Sequence, residues 1–344
     1  MVKHIQIDDF LTLRNSIPIV DVRSPSEYSK AHVPGAYNIP LLNDEERASV
    51  GTTYKNQGRI EAIKLGFSIV GPKILEKVDA AEQIAGNGGK LILYCWRGGM
   101  RSENMAWLFS RADIECYLLK GGYKSYRKLV KGYMNKPEKV WILGGMTGCG
   151  KTEILQALSG IGEQVIDLEG LANHKGSAFG AIGEEAQPET KHFENLLFEE
   201  LLKMQMDVPI WVEDESRIIG KVHIPEEFFF NMRNSPVFKV ELEKHFRIKR
   251  LVNQYTQTDP QQLIDAVSKI RRKLGGLNTQ KAIEAIKERD YYNAANIILT
   301  YYDKAYTNGL SKRETENIFP LKFSDDEPQK NARILMDYAY STVL

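Results

Sequence analysis

A glycine-rich turn, Gly145-Met-Thr-Gly-Cys-Gly-Lys151-Thr152, follows the apolar run Val140–Gly145 and leads into a helical stretch that begins near residue 151. The spacing G-x-x-x-x-G-K-[ST] between strand and helix admits few folds, because it works only where a buried strand delivers the loop to a helix N-terminus. Gly145, Gly148 and Gly150 let backbone N–H groups turn toward phosphate oxygens, and the helix end adds a favourable partial charge. Lys151 is expected to hold the terminal phosphate and Thr152 a Mg²⁺ ion. The acidic run Glu213-Asp214-Glu215 closes the strand-like IWVED segment (210–214), where a carboxylate would hold Mg²⁺ through water. Asp214 is preferred, with Glu213 as the alternative. Cys149, inside the loop, reads as a small filler residue.

A chain of 344 residues has room for two or three domains, each with its own core. No apolar run approaches the roughly 18 residues a membrane span needs, and the first residues, MVKHIQIDDF, lack a signal-peptide pattern, so the expected location is the cytoplasm. Cys95, Cys116 and Cys149 show no CxxC or Cys/His spacing, which argues against disulfides and zinc and makes each a single thiol. The net charge of +1 requires any nucleic-acid binding to come from local basic patches.

Such patches are present. Residues 120–136 carry Lys120, Lys124, Arg127, Lys128, Lys131 and Lys136 with no acid, interleaved with Tyr123, Tyr126 and Tyr133. This composition suits phosphate contacts and stacking on unpaired RNA bases, with Lys124, Arg127 and Lys128 as candidate RNA contacts. A second basic cluster is formed by Lys269, Arg271, Arg272 and Lys273.

Upstream of the first patch, the β-rich runs IPIVDV, KLILYCW and IECYLLKGG alternate with helix-like stretches at 72–85 and 101–111, an α/β pattern with a parallel sheet. Asn135-Lys136-Pro137 ends the basic segment and sets the domain boundary. The second α/β cycle runs from 137 to about 225, with strands expected at 140–145, 164–168 and 210–214 and a helix at 190–206. From 226 to 344 the signals are helical almost throughout, with apolar spacing in 241–256, 260–273, 279–287, 291–306 and 328–341.

A second loop carries different chemistry. Leu91-Ile-Leu-Tyr-Cys95-Trp-Arg97-Gly-Gly-Met-Arg101-Ser102 is a buried strand, a tight turn and the start of a helix. Loop amides, the helix N-terminus and Arg97 or Arg101 all favour a thiolate, so Cys95 is expected to be a nucleophile of depressed pKa. This segment resembles the active loop of the rhodanese family. The resemblance extends to Ile19-Val-Asp21-Val-Arg23-Ser-Pro-Ser-Glu27-Tyr28, to His32-Val-Pro-Gly35-Ala-Tyr-Asn38-Ile-Pro40 and to Gly121-Gly122-Tyr123, covering about residues 15–126. Arg101 stands six residues after Cys95, one more than in most single-domain members. That spacing resembles dual-specificity cell-cycle phosphatases, although Tyr94 replaces the histidine common before their cysteine. A longer loop gives a wider anion cradle.

The order of the two loops resembles the tRNA 2-selenouridine synthase family. Cys95-Trp-Arg-Gly-Gly-Met-Arg-Ser, Leu168-Glu-Gly-Leu-Ala-Asn-His174-Lys-Gly176-Ser-Ala-Phe-Gly180, Val212-Glu-Asp-Glu-Ser216-Arg217-Ile-Ile-Gly220 and Arg272-Lys-Leu-Gly275-Gly276 all look like its signatures. The resemblance implies an α/β protein. It divides into a rhodanese-like domain with basic linker (1–136), a P-loop NTPase-like core (137–225) and a helical extension of that core (226–344). It implies conversion of wobble 2-thiouridine in tRNA to 2-selenouridine through S-geranyl-2-thiouridine, with geranyl diphosphate and selenophosphate as co-substrates. An alkylated sulfur departs as a thiol, whereas a thiocarbonyl sulfur leaves poorly, and the P-loop would stabilise the departing diphosphate. The competing readings are a P-loop small-molecule kinase fused to a rhodanese-like sulfurtransferase or phosphatase, and a regulatory binding protein. An intact Cys95 loop counts against the last. His174 reads equally as an acid/base group or a hydrogen-bonded loop histidine, Ser216-Arg217 as phosphate contacts with a helix cap or salt bridge as the alternative, and Tyr291-Tyr292 and Tyr301-Tyr302 as packing residues.

Overall fold

The computed structural model describes residues 1–343, which form two compact units divided between Tyr133 and Met134. Each is built on five parallel strands, and each places one glycine-rich loop at the end of its middle strand.

In the first unit the strand order is Val2–Ile5, Glu115–Leu119, Lys90–Tyr94, Ile19–Asp21, Tyr37–Asn38. The middle strand is buried from Leu91 to Tyr94, as expected where helices cover both faces. Met105, Ala106 and Phe109 of helix Met100–Arg111 and Ala81 and Ala85 of helix Ile74–Ala85 pack with Leu91, Leu93 and Cys116 in one core. The Asp21-Val-Arg23 motif is structural here. Arg23 pairs with Asp21 at 2.5 Å in full burial and lies 4.1 Å from the centre of the Tyr123 ring, a desolvated cation satisfied by carboxylate and ring face.

The basic segment proves not to be a linker. Gly122–Tyr133 is a helix of this unit that buries Tyr123, Tyr126 and Val130, apolar positions three and four residues apart that the dense lysines disguise. Buried Tyr123 and Tyr126 have no face to offer RNA bases, which corrects that part of the expectation. Lys124 and Lys128 are exposed on the opposite side and Arg127 is half-buried.

In the second unit the order is Ile318–Lys322, Val237–Glu241, Val140–Gly145, Ile210–Glu213, Gln164–Ile166. Two of these strands come from the region read as a helical extension. Val237–Glu241 and Ile318–Lys322 are five residues each, too short for their alternation to stand out between long helices. The region is otherwise helical, at Lys244–Tyr255, Pro260–Lys269, Gly276–Lys287, Tyr291–Leu310 and Pro328–Val343. The sheet core holds Trp141, Trp211 and Phe238, with Trp141 meeting Trp211 and Tyr340 edge-on at 5.0 Å each. No described helix is long and apolar enough to cross a membrane.

Candidate active sites

Cys95 sits at the turn between strand Lys90–Tyr94 and helix Met100–Arg111, 4% exposed. The Gly99 amide donates to its Sγ at 3.3 Å, and Ser102 Oγ lies at the same distance. Burial pushes the thiol up, but the Ser102 hydroxyl and the amides of Ser102, Gly99 and Arg97 outweigh it, so Cys95 lies below its ordinary value. The expected direction is met through the loop amides, with Ser102 added to them and the arginines left out. The guanidinium of Arg97 is exposed, and Arg101 donates to Glu27 at 2.7 Å, so hydrogen bonds rather than the two arginines favour the thiolate. Glu27 also binds Arg47 at 2.8 Å. Ser102 is not singled out by the sequence; its place one helical turn after the loop is the available signal.

The Gly121-Gly122 pair explains how the loop stays tight. At Gly122, φ is +56°, and a Cβ would reach 2.5 Å from the Gly98 amide nitrogen. The amides of Tyr123 and Lys124 donate to the carbonyls of Cys95 and Trp96 at 2.9 and 3.0 Å. Backbone thus packs directly on backbone behind Cys95, and any side chain would open the loop.

In the second unit Gly145, Gly148 and Gly150 have φ of +154°, +82° and +83°. Thr152 stands in the first turn of helix Lys151–Gly160, and Lys151 Nζ donates to the Gly145 carbonyl at 3.3 Å. Burial opposes charge on Lys151, yet Cys149, Glu169, Glu215 and Asp214 outweigh it and raise its pKa. Burial pushes the Cys149 thiol up, in keeping with a filler role; its sulfur packs where a Cβ on Gly145 would stand.

The two carboxylates considered for Mg²⁺ have partners of their own. Glu213 is fully buried and accepts from the amides of Leu168 and Glu169, at 3.1 and 3.4 Å. Asp214 lines the cleft around the loop, and its Oδ1 accepts from Arg313 at 2.6 Å. Glu169 and Glu215 also line this cleft. Burial and mutual repulsion push Glu215 up to about 8, the behaviour of a carboxylate pair that shares a proton. Among the described residues no three His, Cys, Asp or Glu side chains converge as a ready-made metal site. The oxygen donors nevertheless suit a hard cation carried in on phosphate.

Helix Lys244–Tyr255 lies against the loop. A Cβ on Gly148 would come 2.9 Å from the Arg247 carbonyl, and one on Gly150 would come 2.6 Å from Arg250 Nη2. Arg250 is held by Asp326 at 3.2 Å and Glu153 at 3.4 Å, while its buried Nη2 makes no hydrogen bond. An arginine nitrogen left over at a phosphate-binding turn suits an anion. Arg250 is far from the motif in sequence, and no local pattern points to it. Of the remaining candidates, His174, Ser216 and Arg217 line the cleft, burial lowering the His174 pKa, and Lys269, Arg271, Arg272 and Lys273 are exposed.

Beside the cleft lies an apolar pocket of about 590 Å³, a volume that includes the solvent-open space at its mouth. Thr147, Ser177, Leu251, Tyr255 and Tyr302 line both spaces.

Residues 6–129 match the family described as "Rhodanese-like domain", and residues 138–327 match "tRNA 2-selenouridine synthase AAA domain". A tRNA 2-selenouridine synthase of Hydrogenovibrio crunogenus is 37% identical, the match covering 92% of this chain and 96% of that one. Proteins of the same name from Bdellovibrio bacteriovorus and Nitrosomonas europaea are each 34% identical, over 92% of this chain and 95% of theirs. The chain belongs to the tRNA 2-selenouridine synthase family. It is thereby a tRNA-modifying transferase, and the resemblance read from the motifs holds along nearly its whole length. Both loops of this family member lie inside the matched segments.

Proposed function

We propose that the protein replaces sulfur by selenium in wobble 2-thiouridine of tRNA through an S-geranyl intermediate, with geranyl diphosphate and selenophosphate as co-substrates. The observation that carries this reading is the apolar chamber beside the phosphate-binding loop. A loop of amides, Lys151 and Arg250 recognises phosphate oxygens and no particular base, and a hydrocarbon tail suits the adjoining chamber. A nucleoside there would bury the polar edges of its base and ribose without partners.

In the first step the thiocarbonyl sulfur attacks the allylic carbon, the C–O bond breaks and diphosphate leaves. Lys151 and Arg250 stabilise the charge that develops on it. Mg²⁺, when bound, would add Lewis-acid stabilisation of the same oxygens, held by Thr152 and the cleft carboxylates, Asp214 among them. In the second step the Cys95 thiolate attacks the phosphorus of selenophosphate, held by the loop amides with Arg97 and Arg101, and the Se–P bond breaks to release selenide. Selenide attacks the pyrimidine carbon, the C–S bond breaks and the geranyl thiol departs, and water then frees the phosphate from Cys95. Lys124, Arg127 and Lys128 contact tRNA phosphates.

The test separates the steps. Lys151→Ala is expected to slow geranylation by about 10²–10³-fold, the cost of removing one preorganised charge partner, while selenating pre-geranylated tRNA normally. Wild type should geranylate without any nucleotide. A strict ATP or GTP requirement, or equal failure of Lys151→Ala on both steps, overturns the reading.

A further inference from the structure

We infer that the floor of the apolar chamber, formed by Leu263, Ile286 and Leu299, measures the length of the prenyl chain and so selects which allylic diphosphate is used. The inference rests on the reading of the loop as a prenyl-diphosphate site.

Apolar surface left open to water is stabilised when a hydrocarbon covers it, so a pocket lined this way suits an apolar chain. The chamber has one polar end, where Thr147, Ser177, Leu251, Tyr255 and Tyr302 join it to the cleft. The hydroxyl of Tyr302 is anchored there, accepting from the Ala178 amide at 3.1 Å. Leu263, Ile286 and Leu299 line the chamber but not the cleft, and each is no more than 4% exposed. They come from three different helices, Pro260–Lys269, Gly276–Lys287 and Tyr291–Leu310, so the position of the floor is set by helix packing.

A chain whose diphosphate rests on Gly145–Thr152 enters past Thr147 and ends against this floor. A shorter tail leaves the far end empty and forgoes its dispersion attraction, and a longer one meets buried side chains. Ala295, one of two alanines on the wall, is a small residue whose enlargement would shorten the space.

The experiment gives the full-length protein tRNA bearing wobble 2-thiouridine and, in turn, dimethylallyl, geranyl and farnesyl diphosphate, with kcat/KM read for each. Wild type should prefer the ten-carbon substrate. Ile286→Ala should raise the farnesyl-to-geranyl ratio by about tenfold or more, and Ala295→Leu should lower the geranyl-to-dimethylallyl ratio by a similar factor, the discrimination expected for a few carbons in an apolar pocket. If Ile286→Ala does not fold, Ile286→Val gives a smaller shift in the same direction. Selenation of pre-geranylated tRNA serves as the control for folding. Wild type that uses none of the three diphosphates defeats the underlying reading. Wild type that uses geranyl diphosphate, with folded variants keeping the wild-type ratios, defeats the floor alone.

Discussion

Cys95 and Cys149 occupy matched places in the two units, each in a glycine-rich turn between the middle strand of a five-stranded parallel sheet and the helix that follows. Both are buried. Their thiols nevertheless move in opposite directions, Cys95 down and Cys149 up. The difference lies in what is aimed at the sulfur. In the first unit Ser102 Oγ and loop amides converge on Sγ, so the thiolate is the solvated form. In the second, burial dominates over Lys151, Arg247 and Arg250, whose charge is directed to the loop and cleft. A helix N-terminus is common to both and does not by itself make a nucleophile; directed donors do.

The comparison breaks most clearly at the two cysteines themselves. Cys95→Ala should reduce selenation by about three orders of magnitude or more, as for loss of a covalent catalyst, and S-geranyl-2-thiouridine should accumulate in nucleoside mass spectra. Cys149→Ala should leave both steps within a few-fold of wild type. Comparable losses in the two variants would end the distinction.

Arg250→Ala probes the second loop in the same way. Removing a charge-assisted hydrogen bond to diphosphate should slow geranylation by about 10–100-fold and leave selenation of pre-geranylated tRNA unchanged. A defect shared by both steps would mean that Arg250 only braces the fold.

Ser102→Ala sharpens the case for directed donors. Loss of a group that stabilises the thiolate moves the Cys95 pKa up, and the thiolate disappears as pH falls through that pKa. The pH profile of iodoacetamide labelling at Cys95 should therefore shift to higher pH, with several-fold slower labelling at neutrality. Cys116, which burial pushes up to about 12, and Cys149 should remain unlabelled in the folded protein. An unmoved profile would return the credit to the arginines.

The smallest effect concerns the exposed face of helix Gly122–Tyr133. Neutralising Lys124, Arg127 and Lys128 together should reduce the slope of log tRNA affinity against log salt by a few units, about one for each phosphate that the helix no longer neutralises. An unchanged slope in filter-binding measurements would remove this helix from the tRNA interface.

The parts of the molecule that are legible without a structure are those encoded by neighbours in sequence. Strand 140–145, the loop to Thr152 and the helix after it form one continuous signal, and the same holds for the strand, turn and helix around Cys95. The helix Gly122–Tyr133 reads as a linker because composition outweighs spacing, although Tyr123, Tyr126 and Val130 already mark its buried face. Strands Val237–Glu241 and Ile318–Lys322 escape notice because a five-residue alternation carries little weight between long helices, and only pairing with a sheet edge identifies it.

By itself the sequence determined the α/β class, both loops, the candidate cysteine and the family, because each is written in contiguous residues whose chemistry needs no distant partner. Only the tertiary structure decided which donors reach Cys95, that Glu213 and Asp214 are engaged by Leu168, Glu169 and Arg313, and that Arg250 lies on the phosphate loop. It also created the chamber, whose lining runs from Thr147 to Tyr302. These features depend on where helices far apart in the chain come to rest, and that is set by the packing of their apolar faces, which no local pattern specifies.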